Sequence, residues 1–193
     1  NVTPPSYYNI RMQCKEYVSL TSRLLLTHDE VGFEGVVHEC TTRYSDQAVP
    51  TTIHLEIGRS KFGADKSRNR WYRDRNLLMK DLQENPTNSR SVFYLGLTEK
   101  WLGHNAIAYH YLQKRVSMPT FPEEDYYALY NLAEVTEQLI AEEPGKYTWE
   151  EALGHYLKAY TMRPHRAEPL VKDLWPIDKA PKGTPVTSSK TSQ

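Results

Sequence analysis

The stretch Ala152-Leu153-Gly154-His155-Tyr156-Leu157-Lys158-Ala159-Tyr160-Thr161-Met162-Arg163-Pro164 sets a small residue at 152, an aromatic at 156, a small residue again at 159 and a proline at 164. Those spacings place Ala152, Tyr156 and Ala159 on one face of a helix that a proline then closes. Small residues on such a face let a neighbouring helix approach closely, while the aromatic fills the groove between the two. Ala108-x3-Leu112 repeats the first part of this pattern, with Gly103 five residues upstream as a turn. Leu95-Gly96 and Leu132-Ala133 supply the large-then-small pair that a partner helix needs, and Asn85-Pro86 closes an earlier helix as Arg163-Pro164 closes the last.

These are the marks of a tetratricopeptide-like array of paired helices, in which each pair buries its apolar face against its neighbours. Two departures stand out. Arg115 occupies a position where a small residue is usual, and Ala108 and Ala152 lie 44 residues apart, against a period of about 34. Pro119-Thr120-Phe121-Pro122 and the loop from Glu142 to Tyr147 are expected to absorb the excess. Helix starts follow from capping chemistry. Asn88 or Ser89 suits an N-cap, Thr120 or Pro122 precedes Glu123-Glu124-Asp125, and Thr148 precedes Trp149-Glu150-Glu151. Five or six helices are expected, with generic amphipathic helices as the plainer alternative.

Upstream the period changes. Tyr7–Met12, Tyr17–Leu26, Phe33–Val37 and Thr51–Ile57 are short β-rich runs bounded by Asp29, Gly32, Asp46, Pro50 and Gly58, which suits strands. Leu77, Leu78 and Leu82 then share a helical face. The fold class expected is α+β: strands over 1–60, a helical array over 61–172, and a disordered Pro/Lys/Ser/Thr tail over 173–193.

Formal net charge is zero, so nothing draws the whole chain towards nucleic acid or an anionic membrane. No apolar run approaches eighteen residues, so no membrane span is expected. Cys14 and Cys40 form no C-x-x-C pair and are expected as reduced, packed thiols; with no signal-peptide pattern at the start, a cytoplasmic setting is expected. Locally, seven basic residues (Arg59, Lys61, Lys66, Arg68, Arg70, Arg73 and Arg75) face only Asp65 and Asp74. By default such a run is a solvated helix face.

Among chemistry-bearing motifs, G-x-G-x-x-G, G-x-x-x-x-G-K, G-x-S-x-G and C-x-x-C are all missing. His38-Glu39 opens like a zinc-protease H-E-x-x-H, but Thr42 stands where the second histidine is required. What remains is Gly35-Val36-Val37-His38-Glu39 at the end of one apolar run and Ile53-His54 at the end of another. Strand neighbours point to opposite faces, so His38 and Glu39 share a pocket only where the strand ends.

Taken together, Arg59-Ser60, Asp74-Arg75-Asn76-Leu77-Leu78, Asn85-Pro86, Arg90-Ser-Val-Phe-Tyr-Leu-Gly96, Arg115-Val116-Ser117-Met118, Tyr156-Leu-Lys-Ala-Tyr160 and Arg163-Pro-His-Arg-Ala-Glu-Pro-Leu170 resemble family 2 glycosyltransferases with tetratricopeptide-like tails. The resemblance covers roughly residues 8 to 172. It implies that the strands end a nucleotide-sugar domain of the GT-A type, with Gly35–Glu39 matching its Gly-x-Val-His-Glu element and His54 a histidine at a later strand end. The implied activity is transfer of a sugar from a nucleotide-sugar donor to an acceptor hydroxyl. His38 and Glu39 are the implied catalytic pair, Arg59 and Lys61 the residues near the diphosphate, and His54 a metal ligand. Such enzymes hold a divalent metal, Mn or Mg, on an Asp-x-Asp motif. This sequence contains no Asp-x-Asp, so the donor-binding half is expected to lie outside it, with no metal bound by this chain alone.

The rival expectation is a non-enzymatic module whose repeats hold a protein partner or a second copy of the chain. Nine of the fourteen tyrosines lie between Tyr94 and Tyr160, and their amphipathic rings suit a binding groove as well as helix packing. Nucleic-acid binding through Arg59–Arg75 is disfavoured, because from residue 76 to 170 acidic residues outnumber basic ones, thirteen to nine.

Overall fold

The computed structural model describes residues 7–14, 17–25, 32–42, 54–56, 63–118 and 121–170. The described chain is mainly helical, with two small sheets, in keeping with the α+β expectation. It divides into two compact units, 1–102 and 103–193. The predicted tail over 173–193 lies outside the described residues.

In the first unit, β1 (Tyr7–Cys14) pairs antiparallel with β2 (Tyr17–Leu25), with a bulge between Tyr8 and Asn9. β3 (Phe33–Glu34) pairs with β4 (Cys40–Thr41), and β5 (His54–Glu56) runs parallel to β1, giving the sheet order β2-β1-β5. The run Phe33–Val37 is therefore a strand only over its first two residues. Gly35 has φ +99° and His38 φ +50°, conformations that a pleated strand cannot hold.

α1 (Gly63–Glu84) stops before Asn85-Pro86, as expected. α2 (Ser89–Leu102) is capped by Asn88, whose Oδ1 accepts from the Ser91 N–H at 3.2 Å. Asn88 also donates to Asp81 at 2.9 Å, tying the cap to the end of α1. Leu78, Val92 and Leu95 are buried between these elements. Arg75 Nε donates to the buried Glu99 carboxylate at 2.6 Å. One member of the basic run is thus a structural ion pair rather than a solvated charge.

The second unit begins with the turn at Gly103, whose φ of +82° suits a residue without a side chain. α3 (Asn105–Val116), α4 (Pro122–Glu142) and α5 (Trp149–Met162) follow. α4 packs on both neighbours. Ala108, Leu112, Ala128, Leu132, Ala133, Ala152, Tyr156 and Ala159 are all buried, so the small residues sit where close helix approach was expected. The cap at Thr148 is present, its side chain accepting from the Glu151 N–H at 3.2 Å. α4 instead starts after Phe121 with no side-chain cap, and Pro122 occupies its first turn. Much of the excess spacing lies in α4 itself, which runs 21 residues because the helix formers Glu137 to Glu142 prolong it.

Arg115 has a side-chain exposure of 0%. It meets Asp125 at 2.6 Å and Glu124 at 3.6 Å, and donates to the Met118 carbonyl at 2.9 Å. A guanidinium in the last turn of α3 thereby faces carboxylates in the first turn of α4, each at the dipole end that favours its charge. The departure from the small-residue pattern is a buried ionic joint between consecutive helices. At the far end, Arg166 meets Glu123 at 2.6 Å and lies over the rings of Tyr126 and Tyr127, 4.4 and 4.9 Å from their centroids.

Ala152 offers a direct test of this packing. Ala152→Leu forces three extra carbons into the α4–α5 contact and is expected to cost about 1–3 kcal/mol. A lowered urea midpoint with an unchanged slope is the expected readout; an unchanged midpoint would place residue 152 away from the contact.

Candidate active site

The loop between β3 and β4 carries the Gly35–Glu39 element. Gly35 is required by its backbone: a Cβ there would stand 3.1 Å from the Val37 carbonyl oxygen, on top of the positive φ. Val37 is buried and anchors the turn. Arg90 on α2 donates from a terminal guanidinium nitrogen to the His38 carbonyl at 2.7 Å. The His38 ring stacks on Tyr94 at 4.3 Å with an interplanar angle of 9°, and Arg90 lies 4.9 Å from the centroid of that tyrosine. Trp101, stacked on Trp71 at 5.8 Å, stands 6.3 Å from His38. A left-handed histidine is uncommon, and here a hydrogen bond and an aromatic stack hold it in place.

Because the chain bends here, strand alternation does not apply. His38 and Glu39 line one cleft of about 190 Å³ with Val36, Val37, Arg70, Arg73 and Asp74. Asp74 is 6% exposed, with Arg70 Nε at 4.0 Å and an Arg73 terminal nitrogen at 3.7 Å. A second cleft of about 270 Å³ opens beside the same loop, lined by Glu34, Leu78, Asn88, Arg90, Ser91 and Tyr94 among others. Both fall below the roughly 300–1,000 Å³ of ordinary small-molecule pockets. Each has room for a small group rather than for a whole nucleotide-sugar.

Burial holds the His38 imidazole below its usual pKa. Asp74 and Glu39 oppose that effect, and Arg70 and Arg90 reinforce it. The ring is therefore neutral near pH 7, which leaves one nitrogen able to accept a proton.

Of the residues singled out in the sequence, His38 and Glu39 come together. Arg59 and Lys61 lie outside the described residues. His54 sits in β5 opposite Arg11 of β1, and its side chain is likewise outside the description. Among the described residues, no three His, Cys, Asp or Glu side chains gather to hold a metal ion. In the cleft, guanidinium groups stand beside the carboxylates, a donor set that does not suit a divalent cation. Sequence reasoning passed over Arg70, Arg73 and Asp74 as parts of a solvated face. Their i, i+3, i+4 spacing on one helix was the signal that could have grouped them. Among the described residues, no helix is long and apolar enough to cross a membrane. No protein-family model and no curated protein matches the chain.

Proposed function

We propose that this chain is the acceptor-side and C-terminal part of a family 2-like glycosyltransferase, which moves a sugar from a nucleotide-sugar to an acceptor hydroxyl. The observation that carries the reading is the cleft beside residues 35–39, which His38 and Glu39 both line. A neutral imidazole is suited to take the proton of an attacking hydroxyl. In this reading Glu39, on the same cleft, holds a neighbouring hydroxyl, and Arg70 and Arg73 set positive charge beside the site. The donor, with any Mn or Mg on an Asp-x-Asp, belongs in this reading to sequence outside the chain. In this reading the helices over 61–172 form a tetratricopeptide-like tail.

Calorimetry of this chain with a nucleotide-sugar is expected to give no binding heat, with or without Mn. Saturable donor binding would contradict the assignment of the chain to the acceptor side alone.

A specific observation also favours a partner-binding role for the tail. Leu153 and Leu157, one turn apart on α5, are both exposed, and are the apolar side chains that a protein partner or a second copy would cover. The two roles are compatible in one protein.

A further inference from the structure

His155 on α5 has a side-chain exposure of 15%. Both of its ring nitrogens are shut off from solvent, and neither has a hydrogen-bond partner among the described residues. Buried polar atoms are normally satisfied, so enclosing this ring costs stability. Its ionic neighbour is Glu151, one turn earlier, whose Oε1 lies 4.0 Å from the imidazole Nε2. That separation is too long for a hydrogen bond. The same oxygen already accepts the hydroxyl of Tyr109, which reaches across from α3 and packs edge-on against Tyr147. The carboxylates of α4 are engaged elsewhere: Glu137 accepts from Tyr156 at 3.0 Å, and Glu134 holds the Tyr130 hydroxyl. Of the charges that act on the ring, Glu151 favours its protonation and Lys158 opposes it.

We propose that His155 is an acid-sensitive catch for α5: a proton taken from water by its imidazole drives the ring out of its enclosure, and α5 loosens from α3 and α4. A neutral imidazole leaves one N–H without an acceptor, and an imidazolium leaves two, with a charge besides. The charged ring gains an acceptor in place only by taking Glu151 Oε1 from Tyr109, which undoes the hydrogen bond between α3 and α5. Otherwise it must turn towards water. Burial accordingly holds the His155 pKa below its ordinary value, against the pull of Glu151. Unfolded, the same ring titrates near 6.5. Above that value neither form takes up a proton, and the packing keeps its full strength. As pH falls below about 6.5, the open form binds the proton first. Its share relative to the closed form then grows by up to about tenfold per pH unit, until the enclosed ring titrates as well.

The test is urea unfolding of the full chain from about pH 7.5 down to about pH 5, beside His155→Phe, which keeps a ring in the enclosure but cannot take up a proton. Every other histidine is present in both proteins, so the difference between them belongs to residue 155. The unsubstituted chain is expected to lose its midpoint steadily against the variant below about pH 6.5; equal pH slopes overturn the proposal. Amide hydrogen exchange reads the loosening directly. Protection in α5 is expected to fall on acidification in the unsubstituted chain and to hold in His155→Phe, and equal protection in the two overturns the release of α5. A further reading needs no variant to fold. A nuclear magnetic resonance titration of the His155 ring in the native chain is expected to give a midpoint below about 6.5, and a midpoint at or above that value overturns the proposal. None of these measurements uses sugar transfer.

Discussion

On the proposed acceptor-site reading, His38→Ala and Glu39→Gln are each expected to lower sugar transfer by about a hundredfold or more, measured with this chain joined to a donor-binding domain. Loss of a positioned acid–base group commonly costs that much. The melting temperature should hardly change for Glu39→Gln, because an exposed polar change usually stays within about half a kcal/mol. For His38 the backbone adds a condition. Its φ of +50° costs a residue such as alanine roughly 1–2 kcal/mol, a cost that asparagine largely escapes. His38→Asn therefore separates chemistry from strain, and its activity should fall as far as that of His38→Ala while its stability falls less. Full activity with a lowered melting temperature in all three variants would make the pair structural.

The largest effect on stability is expected at Arg115. Arg115→Ala leaves Glu124 and Asp125, both nearly buried, without the guanidinium that faces them, and removal of one partner from a buried ion pair costs about 3–5 kcal/mol. Chemical denaturation should show a much lower midpoint, with α3 and α4 no longer tied end to end. Replacing Arg115, Glu124 and Asp125 together with Met, Gln and Asn should recover much of the loss, since no buried charge is then stranded. A single-variant loss below about 1 kcal/mol would mean that water reaches the joint and screens it.

The contrast between these residues shows what a linear sequence exposes. Helix ends were readable because their causes are local: Asn88 and Thr148 act on N–H groups three residues away, and Pro86 acts on the residue before it. The small residues Ala108, Ala152 and Ala159 were readable because burial repeats at helical spacing. Arg115 looked like a fault in the pattern. Its partners lie on the next helix, and Glu124 and Asp125 were accounted for as favourable charges at a helix start, which concealed their second role. At the candidate site, His38 and Glu39 stood out as a pair, but the expectation of a strand through Val37 set them on opposite faces. The positive φ values at Gly35 and His38 reverse that arrangement, and a histidine's identity does not announce them. Asp74 was masked by its neighbours, because within a run of seven basic residues one acid reads as simple charge balance.

The contact of Arg166 with Glu123 spans 43 positions of sequence and joins the segment that follows α5 to the start of α4. In mechanical terms it is a latch. A load applied to the chain beyond residue 166 passes through that contact to the base of α4 before it can peel α5 from the C-terminal side. The contact thereby closes the open end of the α4–α5 hairpin. If the tail anchors a partner, the force of that attachment is taken up at Glu123, Tyr126 and Tyr127, within unit 2, at the start of α4.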